Sequence, residues 1–263
     1  GFDPERLRNI LGPAIEVYKT GKVSHDLFVY GAIPNIQRVI REIKGREATV
    51  FAATTADRAS RTSSDALETV NLQVVSLGDW AKIGFLTIWS LLKYRSTRLR
   101  IFVLGDPSGL EHWRLAAQEL LDHREGKDLL QGVSFEYLDF EAHPAFRSFL
   151  RRYPKGCTWG AAGKAIVARV VCHLVLPPSV DRVISIDLGD ILVLDDIKKL
   201  WDLGHRMEDH HLLAASHAVS LHHINGGLVL YNVARMRERN FTGTTLQAVR
   251  DNMRAKPDGT CLR

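Results

Sequence analysis

Two carboxylates interrupt an apolar run at Asp187-Leu188-Gly189-Asp190. Carboxylates are costly to desolvate unless they are paired, hydrogen-bonded or bound to a cation. Oxygen donors at the end of an apolar strand suit a hard divalent ion, Mn²⁺ or Mg²⁺, of the kind that also holds a diphosphate. The flanking stretches 183–186 and 191–194 read as two short β segments broken at Leu188-Gly189, and Asp195 or Asp196 as the cap of a helix running through Trp201. A polar strand end, with Asp187 or Asp190 capping the next turn, is the alternative. For both carboxylates to converge across four residues a local bulge is needed, and Gly189 is the residue type that tolerates the positive φ of such a bulge.

A second group with chemical potential is Asn225-Gly226-Gly227, which opens the apolar run to Val233. The glycine pair permits close backbone approach, and Asn225 offers both a donor and an acceptor to a hydroxyl-rich ligand. Asn-Gly is equally a turn before a strand. The histidines His205, His210, His211, His217, His222 and His223 cluster in sequence, but their spacing fits no zinc pattern. His217 follows the apolar run 212–215 and is the one expected to face a cleft. Cys157, Cys172 and Cys261 form no metal-like pair and are an odd number for a disulfide framework. Cys172, in an apolar helix, reads as a buried thiol.

These groups need a scaffold, and the periodicity supplies one. Residues 1–70 read as a separate segment of unassigned role, with helices starting at Asp3-Pro4 and at Pro34, a strand at 48–53 and a polar loop at 54–65. From Leu72 the pattern is regular. Strands at 72–77, 100–104 and 133–138 alternate with helices marked by Phe85, Ile88, Trp89 and Leu92, then by Leu110, Trp113, Ala117, Leu120 and Leu121. A further helix, marked by Ile166, Val167, Val170, Val171 and Leu174, leads through Pro177-Pro178 into the acidic strand. Such alternation predicts an α/β fold with a mostly parallel sheet flanked by helices on both faces. In these sheets ligands bind at the carboxyl ends of the strands, so Gly78-Asp79 and Asp187 to Asp190 are expected to share one cleft.

Composition narrows the classes. In 263 residues, 45% hydrophobic content is enough for a core in the 71–263 region, while no apolar run is long enough to cross a bilayer and no cleavable signal is visible. The segment reads as soluble, with room for a membrane anchor only outside it. The net charge of +5 favours anionic ligands, but the basic residues are interleaved with acids and no nucleic-acid motif accompanies them.

Taken together these segments resemble glycosyltransferase family 8, the retaining nucleotide-sugar transferases of the glycogenin and galactosyltransferase type. The resemblance runs from about Leu72 to about Ala255. The strand ending at Leu77 looks like that family's opening nucleotide-binding strand. Lys164 and Arg169 fall on the helix where the family carries basic residues near the donor diphosphate. Asp195-Asp196-Ile197-Lys198-Lys199-Leu200-Trp201 resembles its post-strand helix start, and Asn225-Gly226-Gly227-Leu228-Val229, followed by Val233-Ala234-Arg235, its Asn-x-Gly strand and next helix. The metal motif departs from the family's Asp-x-Asp by one added residue. The segment between His217 and Asn225 is shorter than the usual sugar-covering loop. The downstream Asp-Gln-Asp and His-x-x-Gly-x-x-Lys motifs are absent, so the domain is expected to lack its C-terminal part.

The resemblance implies a GT-A-like nucleotide-binding fold and transfer of a sugar from a UDP-sugar donor to a hydroxyl of a glycan or glycoprotein. It implies Asp187 and Asp190 as Mn²⁺ (or Mg²⁺) ligands, and Leu77, Gly78, Asp79, Lys164, Arg169 and Leu188 along the nucleotide. Asn225, Gly226 and Gly227 would lie at the transferred sugar. Against these roles stand plainer ones: Lys164 and Arg169 as solvated helix residues, Asp79 as a helix cap. The altered acidic motif also suits a non-catalytic sugar-nucleotide or glycan-binding protein. Relatives of this type point to the Golgi or endoplasmic-reticulum lumen, where Asn240-Phe241-Thr242 is a candidate glycosylation sequon, with the cytoplasm as the other option.

Overall fold

The computed structural model describes residues 68–122, 124–154, 160–217 and 224–254. The elements expected before residue 66, and Cys157 and Cys261, lie outside them. The described residues fall in the compact unit Ser64–Arg263. In chain order they form β1 (Thr69–Ser76), α1 (Trp80–Tyr94), β2 (Arg98–Gly105), α2 (Pro107–Asp122), α3 (Arg124–Leu130), β3 (Val133–Asp139), α4 (Pro144–Arg152), α5 (Gly160–Val170), β4 (Arg182–Ile186), α6 (Lys198–Leu203), β5 (Leu213–His217), β6 (Ile224–Asn232), α7 (Val233–Glu238) and α8 (Phe241–Arg254).

The strands form one six-stranded sheet in the order β3-β2-β1-β4-β6-β5. The β1–β2, β2–β3 and β1–β4 pairs are parallel, and β6 runs antiparallel to both β4 and β5. The sheet is therefore mixed and mostly parallel. Its central strands are largely apolar on both faces because both faces are covered, with Gln73, Ser76 and Ser185 as buried polar exceptions. Leu72, Val74, Ile101 and Val103 pack with Ile88, Leu91 and Leu92 of α1 and Trp113 of α2, whereas Val75, Phe102 and Leu104 pack with Ala165 and Ala168 of α5 and Met236 of α7. Successive strand residues thus alternate between two cores.

Four expectations needed correction. Residues 191–194 form an irregular segment and not a second β stretch. The side of β4 away from β1 is taken by antiparallel β6, and the Val193 N–H goes to the Ser90 hydroxyl of α1 at 2.9 Å. Val193 is buried while Leu192 and Leu194 are exposed, an in-and-out alternation that mimics a strand. Ile166 and Leu121, counted on buried helix faces, are exposed. In addition, α5 ends at Val170, and Cys172 sits in the 3₁₀ turn that follows, fully buried, with burial pushing its thiol pKa up to about 12. The helix through Trp201 forms, but its N-cap position is Ile197 and not Asp195 or Asp196; Asp196, one residue earlier, accepts from the Lys198 N–H at 3.0 Å.

Candidate functional site

Parallel pairing of β1 with β4, Leu72 opposite Ile184 and Gln73 opposite Ser185, sends both strands out of the sheet at the same edge. Gly78-Asp79 and Asp187 to Asp190 leave from neighbouring strand ends, as expected. Because β6 is antiparallel to β4, its first residues arrive at that edge too. The Asp187 N–H donates to the Gly227 carbonyl at 2.8 Å, so the glycine pair flanks the first carboxylate.

Beyond Asp187 the chain turns through Gly189 at φ +86°, the left-handed geometry expected from the sequence. This turn rests on α1. The Gly189 N–H donates to Thr87 Oγ1 at 3.1 Å, and the Leu188 side chain fills the space over Gly84, where any Cβ would stand 2.8 Å from it. Ser90 closes the arrangement by donating to the Thr87 carbonyl at 2.8 Å while accepting from Val193. The Leu188 side chain is thus packed against a helix.

Arg169 reaches the same place from the last turn of α5. Its guanidinium forms an ion pair with the Asp187 carboxylate. The arginine side chain is 12% exposed and the aspartate 37%, so the pair sits at the mouth of the core and is only partly screened. Burial lowers the Arg169 pKa, against the pull of Tyr231 and of the Asp190 charge. The guanidinium nevertheless stays protonated at neutral pH. Its Nε is buried without a hydrogen-bond partner, and its main-chain carbonyl accepts from Gln73 Nε2 at 3.3 Å, which ties α5 to β1. A Cβ on Gly226 would lie 3.1 Å from Arg169 Nη2. Glycine at this position leaves the guanidinium room against β6.

The remaining sequence-derived residues divide. Leu77 is buried, and Gly78 turns with φ +50°. The Gly78 N–H donates to Asp106 Oδ1 at 3.1 Å, and its carbonyl accepts from His112 Nδ1 at 2.6 Å. Asp79 is exposed and makes no side-chain capping bond to α1, which removes the capping alternative. Lys164 pairs with Glu141 at 3.0 Å, whereas Arg169 pairs with Asp187. The main chain of Asn225 and Gly226 is inside β6, not in a turn, and the pairing to β5 jumps there from Ala215–Val229 to Ser216–Asn225. The Asn225 side chain, and those of His217, His222 and His223, lie outside the described residues. Of the other histidines, His210 and His211 gather with Glu208, and His205 with Glu68 and Asp202, in two exposed groups. In the second group Lys198 already pairs with both acids, at 3.4 and 2.5 Å.

Thr87, Ser90, Asp106 and His112 were not singled out from the sequence. A threonine and a serine three apart in an apolar helix, and the Asp106-Pro107-Ser108-Gly109 turn signature, were the visible signals. As a donor set, Asp187 and Asp190 are carboxylates at an accessible strand end, which fits a hard divalent cation. The positive charge of Arg169 beside them fits that cation only together with an anion. Among the described residues no helix is long and apolar enough to cross a membrane.

No protein-family model matches the sequence, and no curated protein matches it. Solved structures do resemble the fold. Mouse xyloside xylosyltransferase 1, in its apo form, superposes with a TM-score of 0.53 at 15% identity over 70% of this chain and 75% of that one. An active-site mutant of LgtC gives 0.50 at 16% identity over 69% and 64%, and the apo bifunctional glycosyltransferase WbbM 0.51 at 15% over 71% and 35%. The chain thus spans less than two thirds of LgtC and of WbbM. At such identities the likeness is one of fold, and the fold is the α/β, GT-A-like sheet of these glycosyltransferases.

Proposed function

We propose that this protein is a retaining glycosyltransferase of the family 8 type, which moves a sugar from a UDP-sugar to a hydroxyl of a glycan or glycoprotein. The observation that carries this reading is the convergence of Arg169, Asp187 and the Gly226-Gly227 backbone at the end of β4, on a GT-A-like sheet. Asp187 and Asp190 would hold Mn²⁺ or Mg²⁺, which when bound supplies a Lewis acid for the departing diphosphate. Arg169 turns part of its charge toward the same phosphates, where negative charge grows as the glycosidic bond breaks. Gly78 and Asp79, one strand away, face the uracil and ribose. Asn225 and the glycine backbone orient the sugar. The acceptor attacks from the side of the leaving UDP, and the departing phosphate oxygen takes its proton, so no separate base is required. We place this activity in the secretory lumen.

A second reading, a sugar-nucleotide-binding protein without turnover, is favoured by one specific feature. The Arg169 ion pair already occupies Asp187, a carboxylate the cation needs. Incubation with a panel of UDP-sugars and Mn²⁺, scored for released UDP and for transfer to glycan acceptors, separates the two. Chelator-sensitive release supports the transferase. Mn²⁺-dependent UDP binding without release supports the binding protein, and no UDP binding in either condition overturns both.

A further inference from the structure

We infer that Thr87 is a positioning residue for the acidic turn, with Gly84 and Ser90 completing a track on α1 that sets where Asp190 stands. This rests on the nucleotide-binding reading above and deepens it. The three residues are spaced by three, so they follow one another along one side of the helix. Each meets a different part of the turn: Gly84 receives the Leu188 side chain, Thr87 Oγ1 the Gly189 N–H, and Ser90 Oγ the Val193 N–H. Asp190 lies between the last two anchors. It is exposed and has left the sheet, so strand pairing does not fix its position.

A threonine in a helix commonly turns its hydroxyl back on its own helix. Here Ser90 does so, donating to the Thr87 carbonyl, whereas Thr87 Oγ1 accepts from outside the helix. The side chain is 1% exposed and β-branched, which limits its rotamers and makes the acceptor a fixed point. A one-ångström drift of a ligand-bearing turn is enough to spoil binding geometry. The hydroxyl therefore acts on the ligand through Gly189, without touching it.

The test compares Thr87→Val, which keeps the shape and removes the hydroxyl, with Thr87→Ser, which restores it. Calorimetric titration of UDP, with Mn²⁺ and with chelator, is read beside the thermal midpoint of the metal-free protein. Thr87→Val is expected to weaken Mn²⁺-dependent UDP binding about tenfold, the size of one lost hydrogen bond in a site. Thr87→Ser should bind within about threefold of the parent. If Thr87→Val does not fold, Ser90→Ala, which frees Val193, takes its place with the same expectation. A parent that binds UDP with Mn²⁺ beside a folded Thr87→Val variant of equal affinity overturns the positioning role and leaves the functional reading standing. A parent that does not bind UDP with Mn²⁺ overturns the functional reading, and the positioning role with it.

Discussion

Arg169, in the last turn of α5, is ion-paired to Asp187, the first residue beyond β4. The pair spans the edge where β1, β4 and β6 end or begin together, so it reads out whether α5 and the acidic turn are correctly placed. It also sets up a competition, since a cation bound by Asp187 must contend with a guanidinium already there.

That competition predicts opposite effects for Arg169→Met. Without nucleotide, Asp187 is released and Mn²⁺ alone should bind more tightly than to the parent. With nucleotide, the loss of a phosphate partner should weaken UDP–Mn²⁺ binding by about 2 kcal/mol, the scale of a charged hydrogen bond. Mn²⁺ titration followed by electron paramagnetic resonance, with and without UDP, measures both. Weaker binding in both conditions would show that Arg169 does not compete for Asp187.

Gly189 occupies φ +86° beside the Thr87 anchor. Gly189→Val forces a β-branched residue into left-handed geometry, which is strained at about 1 to 3 kcal/mol and is relieved most easily by moving the turn. The turn is exposed, so the thermal midpoint of the metal-free protein should change little while Mn²⁺-dependent UDP binding is lost. UDP and Mn²⁺ binding equal to the parent's would mean that Gly189 does not position the carboxylates.

His173, in the turn after α5, is buried, with Nε2 2.8 Å from Thr242 Oγ1 and its ring edge-on to Phe241. Burial first, and the neighbouring Arg237 guanidinium second, hold its pKa down at about 4 against an ordinary 6.5. The unfolded chain therefore takes up a proton near pH 6.5 and the folded one near pH 4. Stability contributed at neutral pH falls as the pH drops through this window, by at most about 3 kcal/mol, and levels off below it. Urea denaturation at pH 7.5 and 4.5 should show a smaller acid loss for His173→Gln than for the parent. Equal losses would sink the assignment.

The sequence alone carried what depends on local pattern. Strands alternating with helices along the chain signalled a mostly parallel sheet with helices on both faces, because parallel neighbours need a crossover that lies over the sheet. Asp187 and Asp190 stood out because charge in an apolar run needs a partner, and Gly189 because few other residues take up a positive φ. Partner choice was decided only by tertiary packing. Lys164 and Arg169 share one helix and one charge, yet the first meets Glu141 and the second Asp187, since each pairs with whatever the fold brings alongside. The same holds for residues 191–194, whose alternation reads as a strand until β6 occupies the place beside β4, and for Asn225-Gly226, which local preference makes a turn and which lies inside β6, with Asn225 paired to Ser216 of β5. Thr87 and Ser90 look like ordinary polar residues in a helix. Their hydrogen bonds to Gly189 and Val193 cross more than a hundred residues of sequence, and no local pattern encodes a contact that only the sheet's parallel crossover creates.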